Sequence, residues 1–456
     1  MDAISFGTDG WRATLDVFTS ERVRAVAQAT ADYLDSEGHV GETVAVGYDA
    51  RETSSGFAED IADVLAANGF DVLLPERDRP TPLVAHAIVE RDLAGALVVT
   101  ASHNPPEYNG VKFIPEDGAP ALPEVTETIE ANLREPVEGD ERGEISEVDF
   151  VTPHAEHCRD LIDADLSGLT VVYDAMHGSG RGVTDELLEA AGAEVIRERC
   201  ERDADFGGTP PEPDEANLQG LALAVDEHDA DFGVANDGDA DRVAVVTPER
   251  GVLDGNRFYA LAYDYLLEDD SGPAVRTVST TFLVDRLADA HGCEVVETPV
   301  GFKWVAAAMG EHDALFAGEE SGGYTMRGHV REKDGVLMAL LAAAAASERP
   351  IDERLDAITA EFGDIHQDKV SVDCPDDRKP AVLDELESRL PAEVAGVSVE
   401  RVNDADGFKI LLADGSWLLV RPSGTEPKMR VYAEADGPDR VEELLSAGRD
   451  LVEPLV

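Results

Sequence analysis

Short apolar runs alternate with stretches of helical spacing along most of the chain. Thr43 to Tyr48, Asp71 to Leu74 and Ala96 to Thr100 read as strands. Between them lie a helical stretch opened by the N-cap cluster Thr53-Ser54-Ser55 and ending at Asn68-Gly69, and a second over Leu83 to Arg91. Apolar strands separated by helices of this length predict a mainly parallel, layered sheet. The charged, Gly/Pro-containing stretch from Glu135 to Glu147 reads as a linker, after which the pattern restarts. Strands are expected at Leu169 to Tyr173, Glu194 to Arg197, Asp231 to Ala235 and Val243 to Thr247, with a helix over Val183 to Ala191 and a proline-rich loop over Asp203 to Asn217. A third unit follows Gly251: helices near Arg257 to Leu267, Phe282 to Ala290 and Gly335 to Ser347, and strands near Val275 to Ser279 and Glu294 to Glu297. From Lys369 onward, strands at Val370 to Val372, Lys409 to Leu412, Trp417 to Val420 and Arg430 to Ala433 predict a smaller α+β domain. The expected division is 1–145, 146–250, 251–367 and 368–456, and three successive α/β units of about 100 residues raise the question of duplication.

The longest apolar run, Val336 to Ala346, has eleven residues, whereas a membrane span needs about 20. The start, Met1-Asp2-Ala3-Ile4-Ser5, has neither a basic nor an apolar region of a secretory leader. The four cysteines, Cys158, Cys200, Cys293 and Cys374, are too scattered for a disulfide framework or a zinc knuckle. A soluble, cytoplasmic protein is expected.

Charge changes the picture. With 37 basic and 96 acidic residues the net charge is −59, which excludes a sequence-independent nucleic-acid binder and argues against docking on anionic membranes. Apolar residues still make up 43% of the chain, enough for large cores. Only seven of the basic residues are lysines. Acidity spread over the whole chain with few lysines reads as a halophilic surface, its self-repulsion screened by concentrated salt.

Four polar loops interrupt the pattern. Thr100-Ala101-Ser102-His103-Asn104-Pro105 leaves an apolar strand directly, holding Ser102 where open α/β sheets bind ligands. Taken alone it is a Ser/Asn/Pro turn, and without a Gly-x-Ser-x-Gly elbow it is not that of a serine hydrolase. Asp237-Gly238-Asp239-Ala240-Asp241-Arg242 packs three carboxylates into one turn between apolar strands. They repel unless a cation neutralises them, and hard oxygen donors select Mg²⁺, Mn²⁺ or Ca²⁺; the alternative is a solvated acidic turn, common in a chain this acidic. An EF-hand is excluded, because position six counted from Asp237 is Arg242 and position twelve is Pro248. Gly318-Glu319-Glu320-Ser321-Gly322-Gly323 offers acids and a hydroxyl on a glycine-flanked loop, suited to sugar hydroxyls or to a plain acidic turn. Arg421-Pro422-Ser423-Gly424-Thr425-Glu426-Pro427-Lys428-Met429-Arg430 joins two strands and has the hydroxyls, central glycine and flanking cations of a phosphate nest, or of a charged hairpin. Four of the seven lysines, Lys112, Lys303, Lys333 and Lys428, fall in or near these loops. A dianionic substrate requires such local positive charge against this field.

Together the loops resemble the α-D-phosphohexomutase superfamily, the phosphoglucomutase and phosphomannomutase enzymes. The resemblance spans essentially the whole chain through ordered signatures at Thr100 to Pro105, Asp237 to Arg242, Gly318 to Gly323 and Arg421 to Glu426, with Gly7 to Arg12 agreeing at the start. It implies an α/β fold: three similar α/β domains with mixed sheets and a smaller C-terminal α+β domain around a central cleft. The implied activity interconverts hexose 1-phosphate and hexose 6-phosphate through a phosphoserine and a hexose 1,6-bisphosphate. Ser102 would carry the phosphoryl group, and Asp237, Asp239 and Asp241, with a phosphoserine oxygen, would hold one Mg²⁺. Arg12, His103 and Arg242 would border the phosphoryl group, and Lys112 stands where relatives place an acid/base lysine. Glu319 and Ser321 would read sugar hydroxyls. Arg421, Ser423, Gly424 and Thr425 would clamp the non-reacting phosphate, with Lys303 and Arg430 also on the substrate side. His329, six residues past the sugar loop, either reaches the cleft or lies on the surface. The partner is a hexose monophosphate, and the assembly a monomer or weak homodimer. Glu320 and Gly323 depart from the Glu-Met-Ser-Gly-His of dual-specificity phosphomannomutases and the Glu-Gln-Ser-Gly-His of phosphoglucosamine mutases, and lean towards glucose phosphate. A phosphoglucosamine mutase, a magnesium-dependent sugar phosphatase and a sugar-phosphate sensor are the alternatives.

Overall fold

A computed structural model describes residues 3–7, 10–137, 139, 141–424 and 426–456. Three α/β units are built on one strand order. In the first, the parallel strands Asp71–Leu74, Thr43–Tyr48 and Gly95–Val99 lie side by side, and Tyr108–Pro115 then pairs antiparallel to Gly95–Val99. The second repeats this with Glu194–Glu198, Thr170–Asp174, Phe232–Asn236 and the antiparallel Val243–Thr247. The third repeats it with Val295–Thr298, Ala274–Thr277, Phe316–Gly318 and the antiparallel Tyr324–Met326. The sheets are therefore mixed. In every unit the last parallel strand turns sharply into its antiparallel neighbour. Those three turns are 100–107, 237–242 and 319–323, so the serine, aspartate and glutamate loops occupy one topological position. The fourth unit is an antiparallel sheet of six strands, and the loop after Trp417–Pro422 leads into Lys428–Ala435.

Several elements escaped the apolar pattern. The helix Ser20–Glu37 buries small residues such as Ala25, Ala27, Ala29 and Ala31 beside Val23, Val26 and Leu34, so its stripe has little hydrophobic contrast. The strand Tyr108–Pro115 carries Asn109, Gly110 and Lys112 among its apolar residues, yet those three are buried. Part of the expected linker is structured: Ile145–Glu147 pairs parallel with Asp71–Leu74, extends the first sheet and straddles the expected 145/146 boundary. The apolar run at Val336 lies in the helix Gly335–Glu348, buried from Gly335 to Ala346. A helix apolar on all sides is a core helix, and this one packs against strands of the second and third units. Among the described residues no helix is long and apolar enough to cross a membrane.

Candidate active site

The serine loop is held by a charge network beneath it. Ser102 adopts a left-handed backbone, φ 49°, a conformation costly for a non-glycine residue. Its N–H donates to Thr100 Oγ1 at 2.8 Å, and Thr100 Oγ1 donates to Asp49 Oδ2 at 2.8 Å. Arg51 is buried at the carboxyl end of the strand Thr43–Tyr48. Its Nε donates to Asp49 at 2.9 Å, and its terminal nitrogens donate to the carbonyls of Ser102, Asn104, Pro105 and Tyr108 at 2.7–3.1 Å. One guanidinium thus satisfies the carbonyls that the turn leaves without ladder partners. Arg12 Nη1 donates to Asn104 Oδ1 at 3.2 Å from the neighbouring strand Trp11–Thr14. Gly110 lets these layers meet, since a Cβ there would lie 2.5 Å from Thr100 O and 2.9 Å from Arg12 Cγ.

The aspartate loop faces this serine. Ser102 Oγ donates to Asp237 Oδ2 at 2.7 Å and lies 3.2 Å from His103 Nδ1. Asp237, Asp239 and Asp241 are fully buried, with ligand oxygens within 4.8 Å of one another. Burial, followed by the charges of Asp241 and Asp239, pushes the Asp237 carboxyl well above the usual carboxylate range. Two lysines offset the repulsion. Lys112 Nζ lies 3.2 Å from Asp241 Oδ2 and 3.5 Å from Asp239 Oδ2, and Lys333 Nζ lies 2.8 Å from Asp241 Oδ2. Thr81 Oγ1 donates to Asp239 Oδ2 at 2.6 Å, while Asp239 Oδ1 is buried with no hydrogen-bond partner among the described residues. The Arg242 N–H donates to Asp237 Oδ1 at 3.2 Å. The Arg242 charge, then burial and Arg12, hold His103 down to about 2, so its imidazole is neutral at physiological pH.

The other two loops connect to this centre by hydrogen bonds. Val243 N–H donates to Gly322 O at 3.0 Å, tying the glutamate loop to the strand after the aspartates. Glu319 Oε1 accepts from Gly301 N–H at 2.9 Å, and burial, then the neighbouring Glu320, raise its carboxyl. Ser321 is exposed. Glu320 turns away, its Oε2 accepting from Thr280 Oγ1 at 3.1 Å and Thr277 Oγ1 at 3.3 Å. Lys303 lies on the first turn of the helix Phe302–His312, with its ammonium 6.0 Å from the Trp304 ring centre. Asp406 accepts from Val300 N–H at 3.1 Å and from Arg421 Nε at 2.8 Å. A chain Glu319–Gly301–Val300–Asp406–Arg421 therefore runs from the glutamate loop to the fourth unit. There Ser423 Oγ accepts from Glu426 N–H at 3.2 Å, and Gly424 is exposed. Glu426 holds both Lys428, at 3.0 Å, and Arg430, at 2.8 Å. Thr425 lies outside the described residues, as do Thr8 and Asp9 of the first glycine turn.

Ser102, His103, Arg12, Lys112, Arg242 and the three aspartates thus converge on one place. His329 does neither thing expected of it. Its side chain is fully buried, with Nε2 2.8 Å from Asp334 Oδ2 in a cluster of other histidines, so it has no surface from which to touch a ligand in the cleft. Sequence reasoning noted Lys333 only as near a loop, and it missed Asp49, Arg51, Thr81 and Asp406. A readable signal existed for two of these: Asp49 and Arg51 follow a strand directly, at the same end as Ser102.

The chain matches four successive segments described as phosphoglucomutase/phosphomannomutase: alpha/beta/alpha domain I over residues 3–139, alpha/beta/alpha domain II over 149–251, alpha/beta/alpha domain III over 254–362 and the C-terminal domain over 370–450. A probable phosphoglucosamine mutase of Methanopyrus kandleri is 35% identical over 98% of this chain and 97% of its own length. A phosphoglucomutase/phosphomannomutase of Thermococcus kodakarensis is 32% identical over 98% of both. Among solved structures, a Thermus thermophilus protein assigned as a phosphomannomutase superposes with a TM-score of 0.86 at 32% identity, covering 99% of each chain.

Proposed function

The chain belongs to the phosphoglucomutase/phosphomannomutase family of mutase isomerases, and from that premise we propose that it interconverts hexose 1-phosphate and hexose 6-phosphate through a phosphoserine at Ser102. The observation that carries this reading is the Ser102 hydroxyl, held by a strained turn 2.7 Å from an aspartate of a buried three-carboxylate loop. Phosphoryl transfer is mainly positioning and charge neutralisation, and the site has groups for both.

Asp237, Asp239 and Asp241 are the residues that hold Mg²⁺ in this reading, with an oxygen of phosphorylated Ser102. The donors are hard oxygens only, they converge within 4.8 Å, and Asp239 Oδ1 is buried with no hydrogen-bond partner among the described residues. When bound, the ion neutralises charge on the phosphoryl group in transfer. The free hydroxyl of the sugar monophosphate attacks phosphorus, the P–Oγ bond of phosphoserine breaks, the attacking hydroxyl gives up its proton, and the departing Ser102 oxygen takes one up to become the hydroxyl that donates to Asp237. Lys112, an ammonium beside Asp239 and Asp241, is the residue assigned to proton transfer, giving its proton to the departing Ser102 oxygen and taking up the hydroxyl proton in turn. The hexose 1,6-bisphosphate then turns round and returns its other phosphoryl group to Ser102. Arg12, His103 and Arg242 border the transfer, with His103 neutral and able to accept a hydrogen bond. Glu319, Ser321 and Lys303 face the sugar, and Arg421, Ser423, Gly424, Thr425 and Arg430 take the resting phosphate.

Glucose phosphate is the favoured substrate. Where phosphomannomutases and phosphoglucosamine mutases more often carry a histidine this chain has Gly323, and a Cβ there would lie 2.5 Å from Lys333 Cδ, so a side chain would have to displace the stem of Lys333. The stem of Lys333 fills that place instead. The name of the Methanopyrus kandleri relative supports a second reading, phosphoglucosamine mutase. A cytoplasmic setting accords with four free cysteines, and the acidic surface is read as an adaptation to concentrated salt.

Mutase rates on glucose, mannose and glucosamine phosphates, in molar KCl with Mg²⁺, test the substrate. The highest kcat/KM is expected for glucose phosphate, with activation by its 1,6-bisphosphate. Release of inorganic phosphate without isomer exchange would point to a phosphatase instead. Intact mass should show a fraction about 80 Da heavier that maps to Ser102, and full turnover by Ser102→Ala would overturn the covalent route.

A further inference from the structure

A second cluster of ligand-type side chains lies behind the aspartate loop, where the first three units meet. It consists of His86 from the helix Thr81–Arg91, His154, His157 and Cys158 from the helix Val151–Leu161, and His329 and Asp334 from the loop before the helix Gly335–Glu348. The His86 ring centre lies 5.5 Å from that of His154, 4.8 Å from His157 and 6.2 Å from His329, and the His329 ring lies 5.8 Å from His154 and 5.2 Å from His157. One carboxylate serves them. Asp334 Oδ2 lies 2.6 Å from His154 Nε2 and 2.8 Å from His329 Nε2, while its Oδ1 caps the following helix by accepting from Leu337 N–H at 2.8 Å. His329 Nδ1 and His157 Nε2 are left buried with no hydrogen-bond partner among the described residues. Buried polar atoms are rarely left so, and here the imidazoles hold more nitrogen than one carboxylate can satisfy.

We propose that His154, His329 and Asp334, with His157 as a further donor, form a structural zinc site distinct from the aspartate loop. Donor atoms of His154, His329 and Asp334 already converge within 4.8 Å. Imidazole nitrogens with one carboxylate oxygen suit Zn²⁺ rather than Mg²⁺, which prefers oxygen ligands alone, and the proton that His154 shares with Asp334 has to leave first. The two Nε2–Oδ2 separations are those of hydrogen bonds, whereas tetrahedral ligands at ~2.0–2.1 Å from zinc stand about 3.3 Å apart. Metal entry therefore displaces the bridging protons and parts these donors by about 0.5–0.7 Å, releasing protons to solvent. His157 is only partly buried, which gives the ion a way in. Cys158 Sγ lies 3.6 Å from His154 Nδ1 in the same cluster. The bound ion would pin the segment from His329 to Asp334, whose Lys333 reaches Asp241 of the reaction centre, and so couple the junction of three units to the geometry of the site.

The test uses the full chain, stripped with a chelator and loaded with ZnCl₂ while Mg²⁺ is in excess to occupy the aspartate loop. One zinc per chain should survive gel filtration. The melting temperature should rise by at least about 3 °C at zinc a hundredfold above its Kd, and cobalt in place of zinc should give the visible bands of a tetrahedral site. His154→Gln/His329→Gln should lose the zinc, while Asp239→Asn should keep it. Should the histidine double variant fail to fold, diethyl pyrocarbonate footprinting of the wild-type chain replaces it, with zinc expected to protect His157. Zinc that is lost on gel filtration, or that Asp239→Asn abolishes, would overturn the proposal.

Discussion

Ser102 is kept in a left-handed turn by a buried arginine beneath it. Arg51 draws four carbonyls of the loop onto one guanidinium, and Asp49 balances its charge. Burial already lifts Asp49 above the usual carboxylate range, with Arg51 and the hydroxyls of Ser54 and Thr100 opposing the rise. The strain at φ 49° is thus sustained by a buried network, as functional strain generally is. Across from it, the three aspartates tolerate one another because Lys112 and Lys333 stand within 3.5 Å of them. Asp239→Asn keeps an acceptor for Thr81 but removes one of three charged ligands. Activity is expected to fall by roughly 10²-fold or more, the loss of about 3 kcal/mol of charge stabilisation, while the melting temperature changes little. Steady-state rates with and without chelator, beside a thermal melt, check this. Unchanged rates after chelation would remove the metal from the mechanism. The aspartates stood out in the sequence because three carboxylates in one turn between apolar strands repel one another, whereas Ser102, a plain turn when taken alone, was legible only through the ordered set of loops. Lys333 was not, because its partner Asp241 lies 92 positions away and only the fold brings them together.

At the scale of elements, one turn used three times organises the site. A parallel strand ends, the chain reverses, and an antiparallel strand leaves; the reversal carries a serine in the first unit, aspartates in the second and glutamates in the third. The strands leading into the serine and aspartate turns were readable from their apolar runs. The departing strand of the first unit was not, because Asn109 and Lys112 are buried for reasons of the site: Asn109 Nδ2 donates to Thr53 and Ser54 at 3.0 Å, and Lys112 meets the aspartates. Polarity there records function and hides periodicity. The histidine at 329 illustrates the converse, a polar residue near a loop that turns into a packed junction. The fourth unit contributes a hairpin rather than this turn, and its Arg421 is held ready by Asp406, which also takes Val300 N–H of the third unit. Arg421→Ala should raise KM for the 1-phosphate and the 6-phosphate alike, by about 10- to 100-fold for the loss of one charge-assisted contact of about 1.5–3 kcal/mol. Michaelis constants measured in both directions decide it, and an effect on one isomer alone would contradict a shared phosphate clamp.

At the scale of the whole molecule, the question is how a chain of net charge −59 folds and, on the proposed reading, still attracts a dianion. A chain of this length has a radius of gyration of about 22 Å, smaller than the Debye length of about 30 Å at 0.01 M salt. At low ionic strength nearly every carboxylate therefore feels most of the others. Folded proteins are stable by only ~5–15 kcal/mol, a margin that unscreened repulsion over four units can consume. Many arginines are already committed to local carboxylates, as Arg181 is to Asp78 at 2.7 Å and Arg197 to Asp185 at 2.7 Å, so the remaining acidity has no internal counter-charge and must be screened by solvent ions. The same field repels a sugar phosphate approaching the cleft, against the local cations Arg12, Lys112, Arg242 and Lys333. Both the melting temperature and kcat/KM are expected to rise between about 0.05 M and 2 M KCl, where the Debye length shrinks below about 3 Å at the upper end. Screening also weakens the contacts of Arg421 and its neighbours to phosphate, so kcat/KM should peak at a lower salt concentration than the melting temperature does. Thermal melts over that KCl series, with sucrose at matched osmolality as control, separate screening from a general exclusion effect. A melting temperature that stays flat or falls as KCl rises, or that rises equally in sucrose, would mean that the acidity plays no part in the stability of the fold.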